Sequence, residues 1–204
     1  MVNSKNKDTS KLNLVSKTVI RRGKPITMRV YEDPNKSAAG ENSSSSKSED
    51  TPDEQAQQQI EDGIYTGGDA LWKPSEYAKS LGVPPNNWFC EHKYVKPADY
   101  FFFVVGGQID AIAGISKDKD NIVVRYVATQ SKDEYYFYLY KSLCNAMYYA
   151  YHNELGFSYV ATTDQERTML AVLRDFYGIR KRGDRFYATN KDLIDIFGEI
   201  VWPY

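Results

Sequence analysis

The chain has 204 residues, a formal net charge of -1 and 42% apolar residues, which suits one ordinary domain plus an extension. No overall basic field points to nucleic acid, and no apolar run approaches membrane-spanning length. Two distant cysteines, Cys90 and Cys144, exclude a disulfide scaffold, and two histidines, His92 and His152, exclude a His-rich metal site. The opening residues have no apolar core of a secretory signal, so a cytoplasmic protein is expected.

In chain order, residues 1–16 are polar and basic. Ser16–Asp33, "SKTVIRRGKPITMRVYED", then reads as a small hairpin turning at Arg22-Gly23-Lys24. Arg21, Arg22, Lys24 and Arg29 give it local positive charge, which fits a solvated face or a docking arm. Residues 34–62 are rich in Ser, Asp, Glu and Gln and lack an apolar period, so they read as a disordered linker. Three units follow: a basic tail and hairpin at 1–33, the linker at 34–62, and a folded domain at 63–204. On this reading the hairpin is tethered to the domain rather than built into it.

The domain opens with a short helix from Lys73 or Pro74 to Gly82, with proline in its first turn. The loop 83–100 carries Trp88, Phe89, Cys90, Glu91 and His92. "YFFFVVGGQIDAIAGIS" predicts a hairpin turning at Gly106-Gly107, with Ile109, Ala111, Ala113 and Ile115 on one face. "NIVVRYVAT" is a third strand. A long helix from Asp133 to Glu154 sets Tyr136, Leu139, Tyr140, Leu143, Met147 and Ala150 on one stripe. Phe137, Cys144 and Tyr148 on its other side suggest cover from more than one direction. "SYVATT" is a fourth strand. A second helix follows, with Asp164 as N-cap and Gly178 as its stop, then one closing strand, "RGDRFYAT". The layout is α/β with a mixed sheet.

From Tyr100 to Thr189 this order resembles the GNAT superfamily of acyl-CoA-dependent N-acyltransferases. "YFFFVVGGQIDAIAGIS" is similar to the family's first hairpin, with Gly107 at the turn and Gly114 in the second strand. "NIVVRYVAT" is similar to the strand that holds the pantetheine arm. "TTDQERTMLAVLRDFYGIRKRGDRFYAT" resembles the closing pattern, with Gly178-Ile179 in the Gly-Phe place. The resemblance implies a GNAT-like mixed sheet flanked by helices, behind a flexible extension with a small hairpin. It implies two central parallel strands that splay to admit acetyl-CoA. The backbone of Tyr126, Val127 and Ala128 would then bond the pantetheine arm. The loop Lys132, Asp133 and Glu134 would lie against the pyrophosphate at the helix start.

The same alignment shows departures. Glu134 and Tyr136 stand where the family places phosphate-loop glycines, Arg174 where it places a catalytic tyrosine, and Arg167 where it places an asparagine. Tyr177 is then the candidate general acid and Glu91 the candidate base, with His92 and Asp110 as further base candidates. Cys144 reads as a core residue and His152 as a cation at a helix end. Two functions stay open. One is an N-acyltransferase moving an acetyl group from acetyl-CoA to an amine on a small molecule or protein. The other is a catalytically inactive GNAT-like interaction or structural protein. "TVIRRGKPI" also resembles the starts of some phage and mobile-element proteins. That implies a protein or virion partner for the hairpin, and a virion-associated location. Beside the two functions stands a weaker third reading, a nucleic-acid-associated protein acting through the basic hairpin, against which the net charge of -1 speaks; no metal or membrane is expected.

Overall fold

The computed structural model describes residues 11–22, 24–36 and 71–198. The linker expected at 34–62 lies, from residue 37 on, outside the described residues, as do the first ten residues. In chain order the strands are β1 (Leu14–Arg22), β2 (Lys24–Glu32), β3 (Phe89–Cys90), β4 (Tyr100–Val105), β5 (Ile109–Asp118), β6 (Asn121–Thr129), β7 (Gly156–Val160), β8 (Arg180–Arg182) and β9 (Arg185–Ala188). The helices are α1 (Pro74–Ser80), α2 (Tyr135–His152), α3 (Asp164–Tyr177) and α4 (Asn190–Gly198).

One mixed sheet runs β1-β2-β4-β5-β6-β7-β9-β8, with β3 attached to β6. Among the described strands only β6 and β7 pair in parallel. A parallel pair needs a long crossover, and α2 supplies it. The N-terminal hairpin is not the separate arm expected at 1–33. Val30 pairs with Phe102, Tyr31 with Phe101 and Glu32 with Tyr100. Met28, Val30 and Tyr31 are buried. The cause lies in β4, whose Phe101 and Phe102 are both fully buried on opposite faces. β2 pairs with its second edge and extends both covered faces, Val30 joining the cluster of Phe102 and Tyr31 that of Phe101.

Helices α2, α3 and α4 pack on one face against Phe102, Ala111, Ile115, Val124, Val127 and Phe157. On the other face α1 and the segment after it cover Phe101, Ile112, Tyr126 and Ala128. Ala111, Ala113 and Ile115 share the helical face as the alternation predicts. Ile109 joins Ile112 on the opposite one, beyond a register irregularity at Val104/Val105. The α2 stripe buries Leu139, Leu143, Met147 and Ala150, and a neighbouring stripe buries Tyr138, Ser142, Ala146 and Tyr149. The helix is therefore covered over two adjoining stripes; on the side expected to carry Phe137, Cys144 and Tyr148, Cys144 is buried, Tyr148 half-buried and Phe137 exposed.

Three local readings change. The N-cap of α3 is Thr163, whose hydroxyl accepts the Glu166 N–H at 3.2 Å, and Asp164 is the first helical residue. Gly178 does end the helix, in the left-handed region at φ 68°. The single closing strand is a hairpin, β8–β9, turning at Gly183 with φ 60°. Asn190–Gly198 forms α4, opened by a reciprocal cap: Thr189 N–H donates to Asp192 Oδ2 at 2.8 Å, and Asp192 N–H to Thr189 Oγ1 at 3.2 Å; residues 199–204 lie outside the described residues. No helix among the described residues is long and apolar enough to cross a membrane.

Candidate functional site at the divergence of the parallel strands

The carboxyl ends of a parallel pair, where a sheet changes direction, are the usual place for a ligand. Strands β6 and β7 pair from Asn121↔Gly156 to Val124↔Tyr159 and then part, while β6 continues to Thr129. At the parting point β6 carries a bulge: Val124 faces Ile115 and Tyr126 faces Gly114, so Arg125 has no opposite number. Bulges of this kind gather beside functional sites. A wedge thus opens between the two strands.

The wedge is taken up by the protein itself. β5 occupies one edge of β6 as far as Thr129. β3 pairs with the same residues, Cys90↔Ala128 and Phe89↔Thr129. A strand has two edges, so β3 must lie on the edge that β7 has left. The Phe89 ring meets Tyr135 edge-on at 5.2 Å, and the Lys132 ammonium lies 5.5 Å from its centroid.

Beneath it sits Glu166, only 1% exposed. Its carboxylate accepts Tyr135 Oη–H at 2.8 Å, Tyr159 Oη–H at 2.9 Å, Thr162 N–H at 2.8 Å and Thr162 Oγ1–H at 3.0 Å. Four donors saturate it, so it ties α2, β7 and α3 together instead of serving as a free base. Burial raises the Tyr135 and Tyr159 hydroxyl pKa values well above the usual range. Burial also pushes the Cys90 thiol up to about 12, and the Glu166 and Glu91 charges add to it. A thiol held in its neutral form is a poor nucleophile.

The sequence-derived candidates fall in separate places. Tyr126 is buried on the α1 face, where its hydroxyl meets that of Tyr77, which in turn donates to Asp33. Val127 points into the helical core, and Ala128 is paired on both edges. Lys132, Asp133 and Glu134 form the turn into α2. The Lys132 carbonyl accepts Tyr135 N–H at 3.1 Å, and Glu134 sits at the N-cap without a side-chain cap bond. Glu91 is half-buried at the wedge. Desolvation, then repulsion from Glu166, raises its pKa, with His92 and Lys132 opposing. Tyr136 reaches the same spot: burial first, then Glu91, raises its hydroxyl pKa, while a bond with Thr163 lowers it.

Glu91, Lys132 and Tyr136 are therefore brought together, and Tyr177 is not. Tyr177 ends α3, about 16 Å along the axis from Glu166, with its hydroxyl 3.3 Å from that of Tyr140. Asp110 accepts Gly106 N–H at 2.6 Å and shapes the β4–β5 turn. Arg167 and Arg174, at the altered family positions, are held in ion pairs with Asp184 and Asp175. His152 meets the Tyr148 ring at a tilt and the Tyr151 ring edge-on, and Cys144 is buried in the core.

Glu166 escaped the sequence reading, although Thr163-x-x-Glu166 is a capping-box spacing. That pattern marks a helix start, not a side chain turned inward to two tyrosines. No protein-family model, curated protein or solved structure matches the chain. Fold and site define it only as an α/β protein with a mixed nine-stranded sheet flanked by helices.

Proposed function

We propose that the chain is a GNAT-like protein that no longer takes acyl-CoA and works as an interaction module. The carrying observation is β3 on the free edge of β6. In a GNAT-like acyltransferase that edge would receive the pantetheine amides. Here Ala128 is already paired with Cys90, and Glu166 with its two tyrosines fills the base of the wedge. Glu134 and Tyr136 at the helix start add repulsion and bulk where a pyrophosphate would need close backbone approach. Thermal unfolding with 1 mM acetyl-CoA tests the reading. A ligand at a hundred times its Kd stabilises by about 2.7 kcal/mol. An unchanged Tm is expected, and a rise of several degrees would overturn the proposal.

A second reading, acetyl transfer from acetyl-CoA to an amine, is favoured by one feature. Glu91 lies at the wedge with its proton affinity raised, the direction a general base needs. It requires β3 to leave β6, so it predicts acetyl-CoA binding together with loss of protection at the Ala128 and Thr129 amides in hydrogen exchange.

A further inference from the structure

The sheet is covered unevenly. Among the described residues Val123, Val160 and Tyr187 belong to neither hydrophobic cluster, whereas Phe157, Tyr159, Phe186 and Ala188 pack β7 and β9 on the helical face. Strand register arranges the opposite, less covered face in two rows. One row reads Val123, Ser158, Tyr187, Arg180, with Ser158 buried, Val123 and Tyr187 half-buried and Arg180 exposed. Two residues further along, Val160, Arg185 and Arg182 form the next. Arg125 extends that row, because it follows the helix-facing Val124 and is exposed. The rows lie about 7 Å apart, and four strands span about 14 Å.

The two rows hold four arginines; the acids beside them are Asp192, paired with Arg180, and Asp184 in the turn between Arg182 and Arg185, paired with Arg167. Arg180 is shared between Asp192 at 2.7 Å and the Tyr187 hydroxyl. Among the described residues no ion pair engages Arg125, Arg182 or Arg185. Arg182 and Arg185 stand directly opposite each other across the β8–β9 turn. Like charges so placed weaken a ribbon. Charges on an edge strand often guard against aggregation, but Arg125 and Arg185 lie on interior strands, where no edge needs guarding.

We propose that this face binds a single-stranded nucleic acid. The guanidinium groups meet phosphates, and the half-exposed Tyr187 ring with its arginine neighbours offers stacking surface to bases. A flat sheet face without a protruding helix suits splayed bases better than a duplex groove. The chain's net charge of -1 hides this local field, since register gathers residues from 125 to 185 onto one surface. The inference does not depend on how the wedge is used.

The test is fluorescence anisotropy of the full chain with labelled 12-mers of deoxythymidine and uridine. Binding should weaken with salt at a slope of about -2 to -3 in log–log form, for three or four phosphates at ~0.7 each. R182E/R185E should lose at least tenfold in affinity with an unchanged circular dichroism spectrum. Y187L should weaken binding without altering the salt slope, and K73E/K79E, at the N-cap and in the last turn of α1, should bind as the parent does. Absence of binding at 50 mM salt, or parent-like binding by R182E/R185E, would overturn the proposal. So would tighter binding of a duplex, or displacement by polyglutamate at equal charge, which would point to an acidic protein instead.

Discussion

Replacing Glu166 by alanine tests the buried cluster most directly. The carboxylate is 1% exposed and takes four donors, two of them tyrosine hydroxyls that are buried with it. Alanine leaves the Tyr135 and Tyr159 hydroxyls and the Thr162 N–H without that acceptor. Each stranded buried donor costs about 1–3 kcal/mol, and partial relaxation around the vacated space returns some of it. A net loss of about 4 kcal/mol follows, a large share of a typical 5–15 kcal/mol. For a domain of this size that is a Tm drop of about 8–16 °C. Urea unfolding followed by circular dichroism reads it, alongside Tyr135→Phe and the double variant. Tyr135→Phe alone should cost about 1–2 kcal/mol, and close to nothing once Glu166 is gone. A Glu166→Ala cost below about 1 kcal/mol, or an undiminished Tyr135→Phe cost in its background, would refute the account.

Three further outcomes are expected. Cys90 titrates near 12 in the fold against about 8.5 in an unfolded chain, so its contribution is complete below about pH 8.5 and is lost as pH rises toward 12. Unfolding free energies of Cys90→Ala should fall less steeply than the parent's across pH 9–10, by up to about 1.4 kcal/mol per pH unit, and equal slopes would contradict the burial. Glu91 has a raised pKa, so its ionised form opposes folding above the ordinary carboxylate range and not below it. Glu91→Gln should therefore raise Tm slightly at pH 7 and leave it unchanged at pH 3; a gain at both would point to packing. A Cβ at Gly114 would collide with the buried Tyr126 ring, so Gly114→Ala should destabilise by about 1–3 kcal/mol in chemical denaturation. A neutral result would mean that the ring has room to move.

Much of the element order was legible. Gly106-Gly107 placed a hairpin turn, Gly178 placed a helix stop, and three-and-four spacing placed α2, because each signal acts within a few residues. Asp164 was misread as the cap because Thr163 and Asp164 are both good capping types, and only the backbone conformation separates them. The N-terminal hairpin was seen, but its bond to β4 was not. Phe101 and Phe102 announce a doubly covered strand without naming the strand that lies beside it. Of the candidate site, Glu91, Lys132 and the helix start came from sequence and do converge. Tyr177 was proposed from a spacing near Gly178, and α3 carries it to the far end of the helix.

The chain's own order of residues determined the local grammar of this protein: which stretches become strand or helix, where they turn, and that they alternate as an α/β protein. Those choices rest on backbone preference and on the periods of burial, both of short range. Only the tertiary structure decided which strand meets which. It set Phe89–Cys90 on the edge that β7 abandons, turned Glu166 inward onto Tyr135 and Tyr159, and gathered Arg125, Arg182 and Arg185 on one face of the sheet. Pairing across long separations is settled by edges that must be satisfied and surfaces that must be covered, and no local window contains that information.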